Sequence, residues 1–68
     1  MGLNMKRNEP ETDEVAVEIL RETEKAYLFR NEKSEQSFFP KGEVHFKSRV
    51  GNNAIAVIPV WLLEAKEW

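Results

Sequence analysis

The chain contains no cysteine, so no disulfide can staple it. The cysteine and histidine cluster of a structural zinc site is excluded as well, since His45 is the only histidine. Glycine is scarce and scattered: Gly2, Gly42 and Gly51 form no loop that could cradle a phosphate. No apolar run approaches the ~20 residues that cross a bilayer as a helix. Lys6 and Arg7 have no apolar stretch after them, so no secretory leader is expected. A myristoylated Met-Gly start needs Ser or Thr where Lys6 stands. A dominant charge of one sign is missing too. Ten Lys and Arg stand against twelve Asp and Glu, for a net charge of −2. That balance disfavours a dedicated nucleic-acid binder, which shows a basic face, and is too weakly acidic for a mimic of DNA. Together these absences lead to the expectation of a soluble cytoplasmic protein with no membrane partner and no cofactor.

Sixty-eight residues allow one small domain. A chain of this size buries only ~60% of its unfolded surface. Disulfide, metal and self-association are the usual remedies for so small a core. The first two are excluded, which leaves a homodimer or larger assembly as the expectation.

What the chain does have is an apolar run near its end, from Ala54 through Ile58 and Pro59 to Leu63. The only hydrogen-bonding side chain in it is Trp61. A run crossing from strand to helix points its side chains in several directions, whereas a small domain has one core. Part of it is therefore expected to meet another surface. Tyr27, Ile58, Val60, Trp61 and Leu62 are the candidate interface residues, because apolar and aromatic anchors dominate binding energy.

The rest of the chain reads as short strands. Residues 1–12 are poor in apolar side chains and are expected to be a flexible tail before a single β domain over 13–68; Met5 is an alternative start. Val15, Val17 and Ile19 alternate at period two and are β-branched, which favours a strand over 14–20. Arg21–Glu24 is a polar turn. Lys25–Arg30 is a second strand, apolar on both faces, as in the centre of a small barrel. After the polar loop 31–35, Gln36–Phe39 is a third, ended by Pro40-Lys41-Gly42. Glu43–Lys47 alternates again, with Val44 and Phe46 inward. Val50-Gly51-Asn52-Asn53 is a turn, Ala54–Ile58 the last strand, and Pro59 opens a short C-terminal helix. The expected fold is mainly β: a small SH3-like or OB-like meander or partly open barrel of four to five strands with that helix.

Three motifs occur in order: Glu22-Thr23-Glu24-Lys25-Ala26, Phe38-Phe39-Pro40-Lys41, and Ile58-Pro59-Val60-Trp61-Leu62. The set resembles small β-rich proteins encoded by phages, prophages and plasmids, with an E-T-[ED]-K-A, W-L-P-K-S and I-P-E-W-L pattern. The resemblance covers roughly residues 15–66. Gly42 stands where that family usually has serine, and Val60 where it usually has glutamate. The resemblance implies a mobile-element setting in a bacterial host cell and a small β fold, and it carries no activity. Small proteins of such elements often bind and disable host machinery, anti-CRISPR proteins among them. A host or phage protein is then the expected partner.

Catalytic chemistry finds little support. His45 has no fixed acid or nucleophile near it in sequence, and a general base needs one within hydrogen-bond reach. Glu22 with Glu24 and Glu32 with Glu35 read as carboxylates of solvated turns. No enzyme is expected. The alternative functions are a nucleic-acid-binding barrel, on which Phe38 and Phe39 stack bases while Arg30, Lys41, Lys47 and Arg49 meet phosphates, and a structural homo-oligomeric accessory protein.

Overall fold

The computed structural model describes residues 11–68. Its strands are β1 (Thr12–Glu22), β2 (Ala26–Arg30), β3 (Gln36–Pro40), β4 (His45–Val50) and β5 (Asn53–Pro59), followed by helix α1 (Val60–Lys66). A 3₁₀ turn over Lys41–Glu43 joins β3 to β4. All neighbours are antiparallel in one sheet of order β3-β2-β1-β5-β4, which is not closed. The fold is thus mainly β with a short C-terminal helix, as the alternation of Val15, Val17 and Ile19 and the position of Pro59 lead one to expect.

The central strand serves two hairpins with different halves of its length. Residues 12–18 of β1 pair with β5, and residues 18–22 pair with β2. The register slips between Ile19 and Arg21, which leaves Leu20 as the extra residue of a β-bulge. A second bulge leaves Lys47 unmatched between Phe46 and Ser48. The first strand is longer at both ends than its apolar alternation suggests. Arg21 and Glu22 continue it opposite Leu28 and Tyr27, and Thr12 pairs with Pro59. The strand therefore starts inside the segment read as tail; residues 1–10 of that tail lie outside the described residues.

Turn chemistry sets the hairpins. Thr23 N–H donates to the Ala26 carbonyl, and the Thr23 hydroxyl accepts from Ala26 N–H at 3.0 Å. This pins a tight turn, with Glu24 and Lys25 at its tip. The Asn31 side-chain carbonyl accepts from the N–H groups of Lys33 and Glu35, each at 2.9 Å, which closes the β2–β3 loop. Gly51 has φ +61° between Val50 and Asn53, the conformation a two-residue hairpin needs at that position.

The core lies on one face. Val17 and Ile19 of β1, Phe29 of β2, Phe39 of β3, Ala54, Ala56 and Ile58 of β5, and Leu62 and Leu63 of α1 are buried together with Val44. Phe46 of β4 lies 5.2 Å from Tyr27 and 6.0 Å from Phe29, centroid to centroid. Since β4 and β2 stand three places apart in the sheet, these contacts show that the sheet curls until its two halves meet. Trp68, just past α1, meets Phe39 edge-on at 4.9 Å and covers the core beside β3.

Candidate protein-interaction site

The apolar run is largely used by the chain itself. Ala54, Ala56 and Ile58 face the core, Pro59 is buried, and the first turn of α1 swings Leu62 and Leu63 back onto the same core. Ile55, Val57 and Val60 are half-buried on the outer side. One large side chain is left over: Trp61 is 51% exposed. Of the five residues expected at an interface, Ile58 and Leu62 are core, Tyr27 and Val60 are half-buried, and Trp61 alone projects into solvent.

A second apolar surface was not anticipated as a protein contact. Leu28 pairs with Phe38 across β2 and β3, and the bulge places Leu20 beside Leu28 on the outer face. Leu20 is 36% exposed and Phe38 46%, with Leu28 half-buried between them. The signal was present in the sequence as the two apolar faces of β2. The inner face of the curled sheet explains one of them. The other, carrying Leu28, is only partly covered.

The residues proposed for nucleic acid are not brought together. Phe39 is fully buried, so it cannot stack a base, while Phe38 points outward. Arg30 is paired with Glu18, Lys41 with Glu22 at 2.7 Å, and Lys47 with Glu14 at 3.3 Å. Arg49 donates to the Gly51 carbonyl and lies 5.6 Å from the Phe46 ring, on the inner side of β4. A phosphate would have to displace a carboxylate from three of the four cations.

The first two motifs meet in space. Ala26 pairs with Pro40, Lys41 N–H donates to the Lys25 carbonyl, and the Lys41 ammonium bonds the Glu22 carboxylate. That hydrogen bond and the charge of Lys41 hold the Glu22 carboxyl below the ordinary glutamate range. Lys41 also lies over the Tyr27 ring at 5.2 Å. The third motif turns β5 into α1. All three motifs thus have a structural account.

His45 is exposed on β4 opposite Val57, and Glu35 accepts from the Asn31 amide at 3.0 Å. A groove of about 380 Å³ opens where β2 leaves β1, lined by Ala16, Ile55, Val50 and the Glu18–Arg30 pair. Among the described residues, no three His, Asp or Glu side chains are placed to hold a metal ion, and no helix is long and apolar enough to cross a membrane. Family models, curated proteins and solved structures give no match to this chain.

Proposed function

We propose that the protein is a non-enzymatic protein-binding module that acts by covering a functional surface of another protein. Its origin in a mobile element, and a host or phage protein as the target, follow from the motif resemblance. The observation that supports the reading is Trp61. A tryptophan projecting from a helix whose next two residues are locked in the core is a rigid, preorganised anchor. Such rings in well-packed surroundings carry a large share of interface energy. The leucines behind it fix its position, so little ordering cost remains at binding.

The test compares bacterial lysate proteins retained by the wild-type chain and by Trp61→Lys, at low and high salt. A protein retained by the first and lost by the second, with both chains folded by far-UV spectra, is the expected result. Identical retention by both variants overturns the reading. Retained nucleic acid that is released steeply as salt rises favours the barrel that stacks bases instead.

A further inference from the structure

We infer that β3 is a self-association edge: two copies of this chain pair antiparallel about a two-fold axis through Phe38. The parity of the ladder comes first. Asn31 N–H donates to the Glu35 carbonyl, and Lys41 N–H donates to the Lys25 carbonyl, at the two ends of the β2–β3 pairing. Between these bonds, alternation assigns the backbone groups of Ser37 and Phe39 to β2. Those of Gln36, Phe38 and Pro40 point away from the sheet, and all three residues are exposed. No strand of the described residues lies on that side, since β3 ends the sheet.

This edge is complementary to itself. With the axis at Phe38, the N–H and C=O of Phe38 bond those of Phe38 in the second copy. Gln36 N–H donates to the Pro40 carbonyl of the second copy, and reciprocally. Proline lacks an N–H, but its position at the rim leaves only the Gln36 carbonyl to water. Isologous contacts have this form, in which residue i meets j and j meets i. The side chains agree with the backbone. Glu35 and Lys41 stand equally far from Phe38, just beyond the two ends of β3, and each takes part in the backbone bond that closes its end of the β2–β3 pairing. In the dimer Glu35 faces Lys41 of the second copy, twice over. On the outer face the row Leu20–Leu28–Phe38 ends at this edge, so the two copies join their rows at paired Phe38 rings. An exposed apolar row that terminates on an open strand edge is then covered where it is widest. Strand addition of this kind draws affinity from main-chain bonds and specificity from alternate side chains.

The surface is distinct from the Trp61 anchor, and the two are tested separately. Sedimentation of the wild-type chain across roughly micromolar to millimolar concentrations should show a shift from one chain mass to two, because an interface this small is weak. Phe38→Lys should raise the dimer dissociation constant roughly tenfold or more. Glu35→Lys and Lys41→Glu should each weaken the dimer by placing like charges opposite. The double reversal, Glu35→Lys with Lys41→Glu, should restore it, with thermal unfolding of each variant as the control for the monomer. A wild-type chain that stays monomeric throughout overturns the inference. So does a dimer that survives Phe38→Lys, or one lost on Trp61→Lys but not on Phe38→Lys. If Phe38→Lys does not fold, failure of the double reversal to restore association decides against it.

Discussion

The two edges of the sheet solve the same physical problem in opposite ways. An edge strand offers unpaired N–H and C=O groups to any passing strand, and natural sheets blunt this with bulges, lysines and inward charges. β4 uses all three: Lys47 is the bulged residue, Arg49 turns inward over Phe46, and four of its six residues are polar and exposed, with Val50 the one exposed apolar side chain, at its end. β3 has only Pro40 at its rim, and an exposed phenylalanine sits at its centre. A guarded edge and an open one in so short a chain teach that strand pairing is obstructed on one side and left available on the other. Behind each edge the core differs as well. The half next to β3 is filled by stacked rings, with Phe29 at 5.4 Å from both Tyr27 and Phe39. The half next to β4 is lined by Ala54 and Ala56, whose small side chains leave room for Phe46 of the neighbouring strand to reach over to Tyr27 and Phe29.

The sharpest way to break the comparison is to remove a ring from the aromatic half. Phe39 has no exposed surface; it packs against Phe29 and Trp68, and the Lys66 ammonium lies 5.7 Å from its ring centre. Phe39→Ala should cost ~3–5 kcal/mol, from lost transfer energy and the cavity left behind. A domain this small has little more than that to lose. Chemical denaturation should therefore find the variant largely unfolded. A loss below ~1 kcal/mol would mean that the rings do not carry the fold.

The alanine half should answer to the reverse change. Ala56 is fully buried opposite Phe46 and Val15. Ala56→Leu should overpack this region and cost ~1–3 kcal/mol. If it is neutral or stabilising, β4 is looser than the curled sheet implies. The contrast between a ring-filled and an alanine-lined half would then be one of packing quality and not of volume.

How far this contrast was legible in the sequence depends on the kind of signal. Alternation of Val15, Val17 and Ile19 marked the inward face of β1, because one buried face imposes period two. Pro59 and the Gly51 turn marked the ends of β5 for equally local reasons. The bulges at Leu20 and Lys47 carry no such mark. A bulge is one residue too many against a partner strand, and it is defined only once that partner is known. For the same reason β4 ran three residues past its apolar alternation: Ser48, Arg49 and Val50 are held by pairing with Ile55, Ala54 and Asn53, not by burial. The apolar run at 54–63 suggested more interface than the fold leaves, since β5 and α1 together bury six of its ten residues. Trp61 was legible as an anchor candidate. The row at Leu20, Leu28 and Phe38 was not, because it joins three strands.

A smaller effect tests how the helix supports the open-edged half. Glu67 follows α1 with φ 60°, a left-handed conformation, while Trp68 N–H donates to the Leu63 carbonyl. This is the geometry in which helices commonly place glycine. A residue with a Cβ is strained there, so Glu67→Gly should raise stability by about 0.5–1 kcal/mol without moving Trp68 from Phe39. Thermal unfolding measures the gain. A loss would show that the Glu67 side chain contributes more than its backbone strain costs.

The smallest effect sits where Lys41, just past β3, reaches across β2 to the end of β1, and it sharpens the comparison electrostatically. Lys41 bonds Glu22 in the free chain, whereas in the proposed dimer it also faces Glu35 of the second copy. The lowered Glu22 pKa means that the folded state holds the carboxylate more readily than the unfolded chain does. Its contribution to stability is therefore present above the ordinary glutamate pKa and is lost as pH falls through the lowered folded value. Both groups are partly solvated, so the contribution is screened and small. Carboxyl NMR titration at low protein concentration should place Glu22 below the ordinary glutamate range, and Lys41→Met should return it there. At high concentration the wild-type Glu22 should titrate slightly higher than in the dilute sample, because Glu35 of the second copy then competes for the same ammonium. A Glu22 titration that is the same at both concentrations would show that Lys41 does not meet Glu35 of a second copy.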